Sequence, residues 1–452
     1  MRSKPPLAAP EGKLAYYSRD QHSVSRNDIS PNAVKVLYRL HNAGFRACLV
    51  GGGVRDILLG LKPKDFDVAT DASPEQVKEL FRNCRLIGRR FRLAHILFGR
   101  EIIEVATFRG HHAQDAGQNV EKKNKKSPSH SSDEGMILRD NVFGTIEEDA
   151  VRRDFTVNAL YYDIADYSVQ DFCDGMDDLN NRLLRMIGDP ETRYREDPVR
   201  MLRAIRLAIK LDLQLEEQTA KPLEALSTLL IDIPSARLWD ESHKLFLAGH
   251  SADTFACLEQ YHLLEPILPQ MCNALKTNNN PRFREFLQAA LTNTDNRIRS
   301  NKSLNPAFLY ACFLWQSVRD TVEGYRKDGF QGAEAMQKAQ AVVLAEQVKS
   351  IAIPKRFTQV IREIWLMQHR LEFRRGKNLL SVIEHPRFRA GYDFLLLRAS
   401  IGEIKQGTAD WWTEIQELDV AEQKKMYAEI SPKTRRRRKP KKNTGANKTD
   451  AD

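Results

Sequence analysis

The sequence predicts an α+β N-terminal head, a small mixed sheet with helices, followed by an all-helical neck and body and a disordered basic tail. Three observations carry this expectation. Short apolar runs bounded by glycine turns alternate with amphipathic stretches up to about residue 165. Beyond about residue 180, helical spacing dominates and strand signals are few. From Ser431 to Asp452 there are nine Lys or Arg against two Asp, with no apolar periodicity.

The elements follow in order. Residues 1–28 are rich in Pro, Ser and charge and read as a flexible N-terminus. The head is assigned to 29–165. Ala33 to Asn42 has the apolar spacing of an amphipathic helix (Val34, Leu37, Leu40). Phe45 to Val50 reads as a strand, broken by Gly51-Gly52-Gly53, after which Val54 to Leu59 starts a helix. Lys64 to Ala69 reads as a second strand. Ser73 and Pro74 open another helix as cap and first residue. Leu93 to Phe98 and Glu101 to Phe108 read as strands joined by the Gly99-Arg100 turn. Residues 111–135 are polar and without period, a disordered insert. Glu147 to Leu160 reads as a helix and Tyr161 to Ile164 as a strand. Residues 166–275 are assigned to the neck, 276–425 to the helical body and 426–452 to the tail.

Bulk properties bound the function. A chain of 452 residues makes two to four domains. Most of the formal charge of +10 sits in the tail, where Arg435, Arg436, Arg437, Arg438 and Lys439 are consecutive. A polyanion is the default partner of such a tail, and RNA binding is expected there. The six cysteines form no Cys-x-x-Cys pair, which points to a reducing compartment rather than a zinc knuckle. Met1 to Ser25 lacks an apolar leader core, and Ala307 to Trp315 is too short to span a bilayer. A cytoplasmic protein with no integral membrane segment is expected.

Two motifs carry chemistry. In Lys64-Asp65-Phe66-Asp67-Val68, a strand would aim Asp65 and Asp67 to one face. Paired carboxylates repel unless a cation lies between them. Two Mg²⁺ ions ~3.5–4 Å apart are the solution used in phosphoryl transfer. Read alone, Asp-x-Asp is a common surface pair. Upstream, Gly51-Gly52-Gly53-Val54-Arg55-Asp56 sets glycines between strand and helix. Gly52 and Gly53 would let backbone amides approach a phosphate, with Arg55 adding charge. Glu104, an acid in the apolar run Ile102 to Phe108, is a third acidic candidate, and Arg109 stands just past it.

G-G-x-V-R-D followed by K-D-F-D-V-A-T resembles the head of the nucleotidyltransferase superfamily that contains tRNA CCA-adding enzymes and bacterial poly(A) polymerases. Arg152-Arg153-Asp154-Phe155-Thr156-Val157-Asn158-Ala159 is similar to that family's R-R-D-F-x-x-N-A segment. On a helix, Asp154 and Asn158 would share a face. The resemblance implies that this face, with Arg153, meets the nucleotide sugar and supports the metal site. Glu196-Asp197-Pro198-Val199-Arg200 resembles the family's E-D-x-x-R segment, with Asp197 as helix cap and Pro198 as first helical residue. Arg200, Arg203 and Arg206 form a basic stripe. The resemblance implies that Asp197 and Arg200 meet the base edge and that Arg203 belongs to the nucleotide site.

Within the family, Leu86 to His95, Ala352 to Arg356, Glu384 to Ala390 and the Arg-rich tail resemble the bacterial poly(A) polymerases. That implies addition of AMP from ATP to RNA 3′ ends, promoting RNA decay. Asp65 and Asp67 would hold two Mg²⁺, with Asp154 supporting the site. Contact with RNA-decay machinery is implied too, and a monomer is the default. The alternatives are a CCA-adding tRNA nucleotidyltransferase, an RNA-binding protein with an inactive head, and a small-molecule nucleotidyltransferase. The last needs neither a long helical part nor a basic tail.

Overall fold

The structure is a computed structural model describing residues 14–88, 92–110, 129–131, 137–140, 143–277, 280–374 and 380–430. The Arg435–Lys439 cluster and most of the 111–135 insert lie outside them.

The head is built on one eight-stranded sheet. Its strands are β1 (Ala15–Tyr17), β2 (Ala47–Val50), β3 (Asp67–Thr70), β4 (Cys84–Ile87), β5 (Leu93–Phe98), β6 (Glu101–Thr107), β9 (Leu160–Asp163) and β10 (Val169–Asp171). Two further strands, β7 (Ser129–Ser131) and β8 (Ile137–Asp140), form a separate antiparallel pair. The order is β1-β10-β9-β2-β3-β6-β5-β4. Only β3 and β6 run parallel; every other neighbour is antiparallel.

The sheet is buried on both faces at its centre, which explains why β2 reads as a continuous apolar run rather than an alternating one. Ala47 and Leu49 join a core covered by the Pro31–Asn42 helix through Val36, Leu37 and Leu40. Cys48 and Val50 face the other way, onto Ile146, Ala150, Tyr161 and Phe172. The Pro74–Leu80 helix opens as the sequence predicts: Ser73 accepts from Gln76 N, and Gln76 reciprocates as a capping box.

The remainder is mainly helical. A two-residue parallel pair, Leu183–Leu184 with Gln214–Leu215, is the exception past residue 180 among the described residues. The helix Val199–Leu211 packs on the helix Ser235–Phe246 and reaches the head through the ion pairs Arg203–Asp154 and Lys210–Asp56. One apolar core runs from the head into the helical body. A second lies at the C-terminal end around Leu371, Leu395 and Trp412.

Several expectations need correction. The 1–28 segment is not wholly flexible: β1 adds to the sheet edge, and Val24 is fully buried. Strand β7 falls inside the insert at 111–135. Strand β10 belongs to the head sheet although its residues were assigned to the neck. The last helix runs Val420–Ile430, into the tail assignment, because Met426, Tyr427 and Ile430 pack on the second core. The predicted helix Glu147 to Leu160 is only Ile146–Val151, followed by a 3₁₀ turn Thr156–Asn158 and by β9. It stops because Phe155 and Asp154 turn inward, Phe155 to a fully buried position.

Candidate active site

The sheet register sets the acidic residues side by side. Asp67 lies opposite Glu104 in the parallel β3–β6 pair. Asp65 precedes the strand rather than belonging to it. The alternation nevertheless holds, with Asp65 and Asp67 exposed while Phe66 and Val68 are buried. All three acids line one cleft of about 1190 Å³ between the sheet and the helix Val199–Leu211.

Crowding inside that cleft perturbs Asp67. Asp67 opens onto the cleft but is closely surrounded by protein; that partial desolvation, then the Glu104 charge, push its carboxyl up to about 6, while Arg153 opposes this and Asp65 adds to it. Glu104 is half-exposed in the middle of the sheet, not on an edge, and its Oε2 lies 3.1 Å from His95 Nε2 on the neighbouring strand.

These acids suit a hard cation. Among the described residues no three Asp, Glu, His or Cys side chains group closely enough to enclose a metal by themselves. Mg²⁺ does not require such a cage. It is bound by one or two carboxylates together with substrate phosphates and water. The mutual repulsion that raises Asp67 is what a divalent cation would relieve.

Across the cleft stands a row of cations. Arg200, Arg203, Arg206 and Lys210 project from one helix, joined by Arg109, Arg152 and Arg193. Arg152 is pushed down to about 10, by burial and then by Arg109, Arg193 and Arg200. Arg193 is also held down to about 10, by burial and then Arg200. Arginines that depress one another form an electropositive wall suited to a polyphosphate.

Other predicted residues are tied to one another. Gly51, at φ +65, caps the helix Gly52–Leu58, and an added Cβ there would stand 3.3 Å from Arg153 Nη1. Gly52 and Gly53, the first two residues of that helix, line the cleft, Gly53 itself buried. Arg55, expected to face a phosphate, is buried: it donates to Asp56 Oδ1 at 2.5 Å and to Asn158 Oδ1 at 2.5 Å. Asn158 in turn donates to Asp154 Oδ1 at 3.0 Å. The two meet through the 3₁₀ turn, not along a helix face. Asp154 Oδ2 is 2.5 Å from Arg203 Nη2. Burial would raise the Asp154 carboxyl, but Arg203, the Asn158 hydrogen bond and Arg200 outweigh it and hold it well below the usual range.

Arg153 is held by Asp149 at 3.0 Å and by the Tyr161 hydroxyl at 2.8 Å. Arg109 donates its backbone N–H to the same Asp149 at 3.2 Å. Pro198, not Asp197, occupies the cap position of the long helix, because Asp197 ends the preceding helix Pro190–Glu196. Asp197 Oδ1 accepts from Val199 N at 3.4 Å, and its Oδ2 pairs with Arg237 at 2.7 Å. Arg200 is bound to Glu196 at 2.8 Å.

Sequence reasoning missed His95 and Arg193. His95 could have been found by pairing β5 with β6, which sets it beside Glu104. Arg193 had no such signal. Its Nη2 donates to the carbonyls of Arg152 and Arg153, both at 2.6 Å, and locks neck to head.

The chain matches the family described as Poly A polymerase head domain over residues 47–185. It also matches the probable RNA and SrmB-binding site of polymerase A over 212–275, and the polymerase A arginine-rich C-terminus over 328–444. It is 50% identical to the Poly(A) polymerase I of Salmonella typhimurium over 93% of this chain and 90% of that one. Similarity to the CCA-adding enzyme of Lactobacillus helveticus is 36% over 53% of this chain and 56% of that one. The crystal structure of the Bacillus stearothermophilus CCA-adding enzyme in complex with CTP shares the fold, with a TM-score of 0.52 at 22% identity. That match covers 88% of this chain and 82% of the other.

Proposed function

The chain belongs to the bacterial poly(A) polymerase family and is a polynucleotide adenylyltransferase, and from that premise we propose how its cleft extends RNA 3′ ends with AMP taken from ATP. The observation that carries the reading is the facing of two walls: Asp65, Asp67 and Glu104 on one side, the arginine row on the other. Charges of opposite sign lining one cleft suit a triphosphate whose α-phosphorus must be attacked by a hydroxyl.

Each side chain has a task in this reading. The amides of Gly52 and Gly53, with Arg109 and Arg152 near them, hold the triphosphate. Asp65 and Asp67 hold two Mg²⁺, with Glu104 as a third candidate. When bound, these ions neutralise the polyphosphate and ease ionisation of the attacking 3′-hydroxyl. Asp154 keeps Asn158 and Arg203 in place at the nucleotide, and Asn158 fixes Arg55. Asp197 and Arg200, held by Arg237 and Glu196, present the adenine with one fixed donor and acceptor set. Arg153 braces the glycine turn from behind. Arg435 to Lys439 add salt-dependent affinity for RNA of any sequence. The enzyme works in the cytoplasm as a monomer, and its tails promote RNA decay together with the decay machinery.

Nucleotide incorporation tests this directly. Purified protein with Mg²⁺ is given unstructured RNA, or tRNA lacking its CCA end, with ATP or CTP separately and together. Long ladders from ATP alone on plain RNA are expected. Three additions on tRNA needing both nucleotides would make it a CCA-adding enzyme. No incorporation on either RNA would leave only binding.

A further inference from the structure

The cleft is roomier than one nucleotide requires. At about 1190 Å³ it exceeds the ~300–1,000 Å³ that encloses a drug-sized ligand. It also has two ends. Arg200 and Lys210 lie on the same helix, about 15 Å apart at 1.5 Å per residue. The helix Ser235–Phe246 runs beside it, starting near the Asp197 end, where Arg237 pairs with Asp197. At the other end His243 and Lys244 join Lys210 in lining the cleft.

His243 is set on an aromatic bed. Its ring centroid is 4.1 Å from Trp239, 6.1 Å from Phe357 and 6.4 Å from Tyr310. Trp239 packs on Tyr310 at 5.0 Å and on Phe357 at 5.3 Å. The ring cannot turn freely: Nδ1 donates to the Trp239 carbonyl at 3.1 Å. Burial lowers its pKa, against the Trp239 hydrogen bond. A core role explains the packed side of the ring. It does not explain why the residue also lines a cleft together with Lys210 and Lys244.

A flat ring backed by aromatics, in a cleft that also holds cations, is how single-stranded nucleic acid is gripped: a base on the ring, phosphates on the charges. Since adenine of the incoming ATP is assigned to the Asp197 end, the His243 end is free for the second reactant. We propose that His243 is the stacking platform for a base of the RNA 3′ end, with Lys210 and Lys244 on the adjoining phosphates. This rests on the reading that the cleft joins ATP to RNA.

The test is steady-state AMP addition by the full chain, wild type against His243→Ala and His243→Phe. The primers are oligoadenylates that are intact or carry one abasic ribose at the last, second-last or third-last position. His243→Ala should raise KM for RNA about 10- to 100-fold while leaving KM for ATP within about twofold. His243→Phe, which keeps a ring on the aromatic bed, should recover most of that loss. One abasic position should cost the wild type a similar factor and cost His243→Ala little more. Equal losses in both proteins at every abasic position would overturn the proposal. So would an unchanged KM for RNA, or a rise in KM for ATP instead. A wild type that adds no AMP to intact RNA would remove the reading beneath it, and that outcome is seen without any variant.

Discussion

Replacing Asp67 by Asn should make the protein more stable and inactive at once. The carboxyl is raised to about 6, first by burial and then by Glu104. Against an ordinary ~3.9, and at ~1.36 kcal/mol per pKa unit, that is ~3 kcal/mol of strain in an unscreened site. Asp67 is exposed to the water of the cleft, so screening cuts the figure to about 1 kcal/mol. Because the folded state binds this proton more tightly than the unfolded chain does, stability from this group is greatest below pH ~4. It falls as pH rises toward 6 and is level above. Asp67→Asn carries no such charge. Thermal unfolding without divalent ions should therefore place the variant about 1 °C above wild type at pH 8 and level with it near pH 4. Millimolar MgCl₂ should raise the wild type and not the variant. Equal melting temperatures at pH 8, or a gap that persists at pH 4, would refute the electrostatic account of the site.

Asp65→Ala should likewise abolish AMP incorporation while gel-shift affinity for RNA is kept; turnover near wild type would remove Asp65 from the reaction. Arg203→Met leaves Asp154 buried opposite no ion-pair partner and should cost about 2–3 kcal/mol in denaturant titration at pH 7. That cost should shrink as the pH falls, since the wild type loses the same stabilisation once the depressed Asp154 carboxyl is protonated. Gly175→Ala would set a Cβ 2.3 Å from the Thr156 carbonyl oxygen and should destabilise by about 1–3 kcal/mol or more. Gly407→Ala meets open space and should be neutral to slightly stabilising in the same titration. Deleting residues 431–452 should weaken RNA binding and flatten its dependence on salt, each lost phosphate contact lowering the slope by ~0.7; an unchanged slope would show the tail to be a solvated appendage.

Local signals were legible where the chain solves its own problem. The Ser73 cap, the Gly51 turn and the Phe66/Val68 alternation depend on residues within four positions of one another. The motif acids were legible for the same reason. What could not be read is whatever depends on distant partners. The stretch after Val151 has helical composition, yet Arg153 is drawn to Tyr161, and Asp154 to Arg203, so the chain turns instead. Strands β1 and β10 are three residues each, too short for any period, and exist because they pair with each other and with β9. Arg55 reads as a phosphate ligand by position, but Asp56 and Asn158 claim its guanidinium.

The interleaving of the sheet bears on how the protein comes into being. Val50 sits in register with Asp67 on one side and Tyr161 on the other, so the middle of the sheet awaits residues made about a hundred positions later. At ~5–20 residues per second, a ribosome needs roughly 5–20 s to travel from Asp67 to Asp171. For that interval the edge of β2 that β9 will cover stands open, a pairing template for other chains. A polypeptide released before β9 and β10 would carry Asp65, Asp67 and Glu104 but lack Arg193, Arg200 and Arg203. Incomplete products of translation therefore hold Arg109 and Arg152 but lack the part of the arginine wall that the helix Val199–Leu211 supplies.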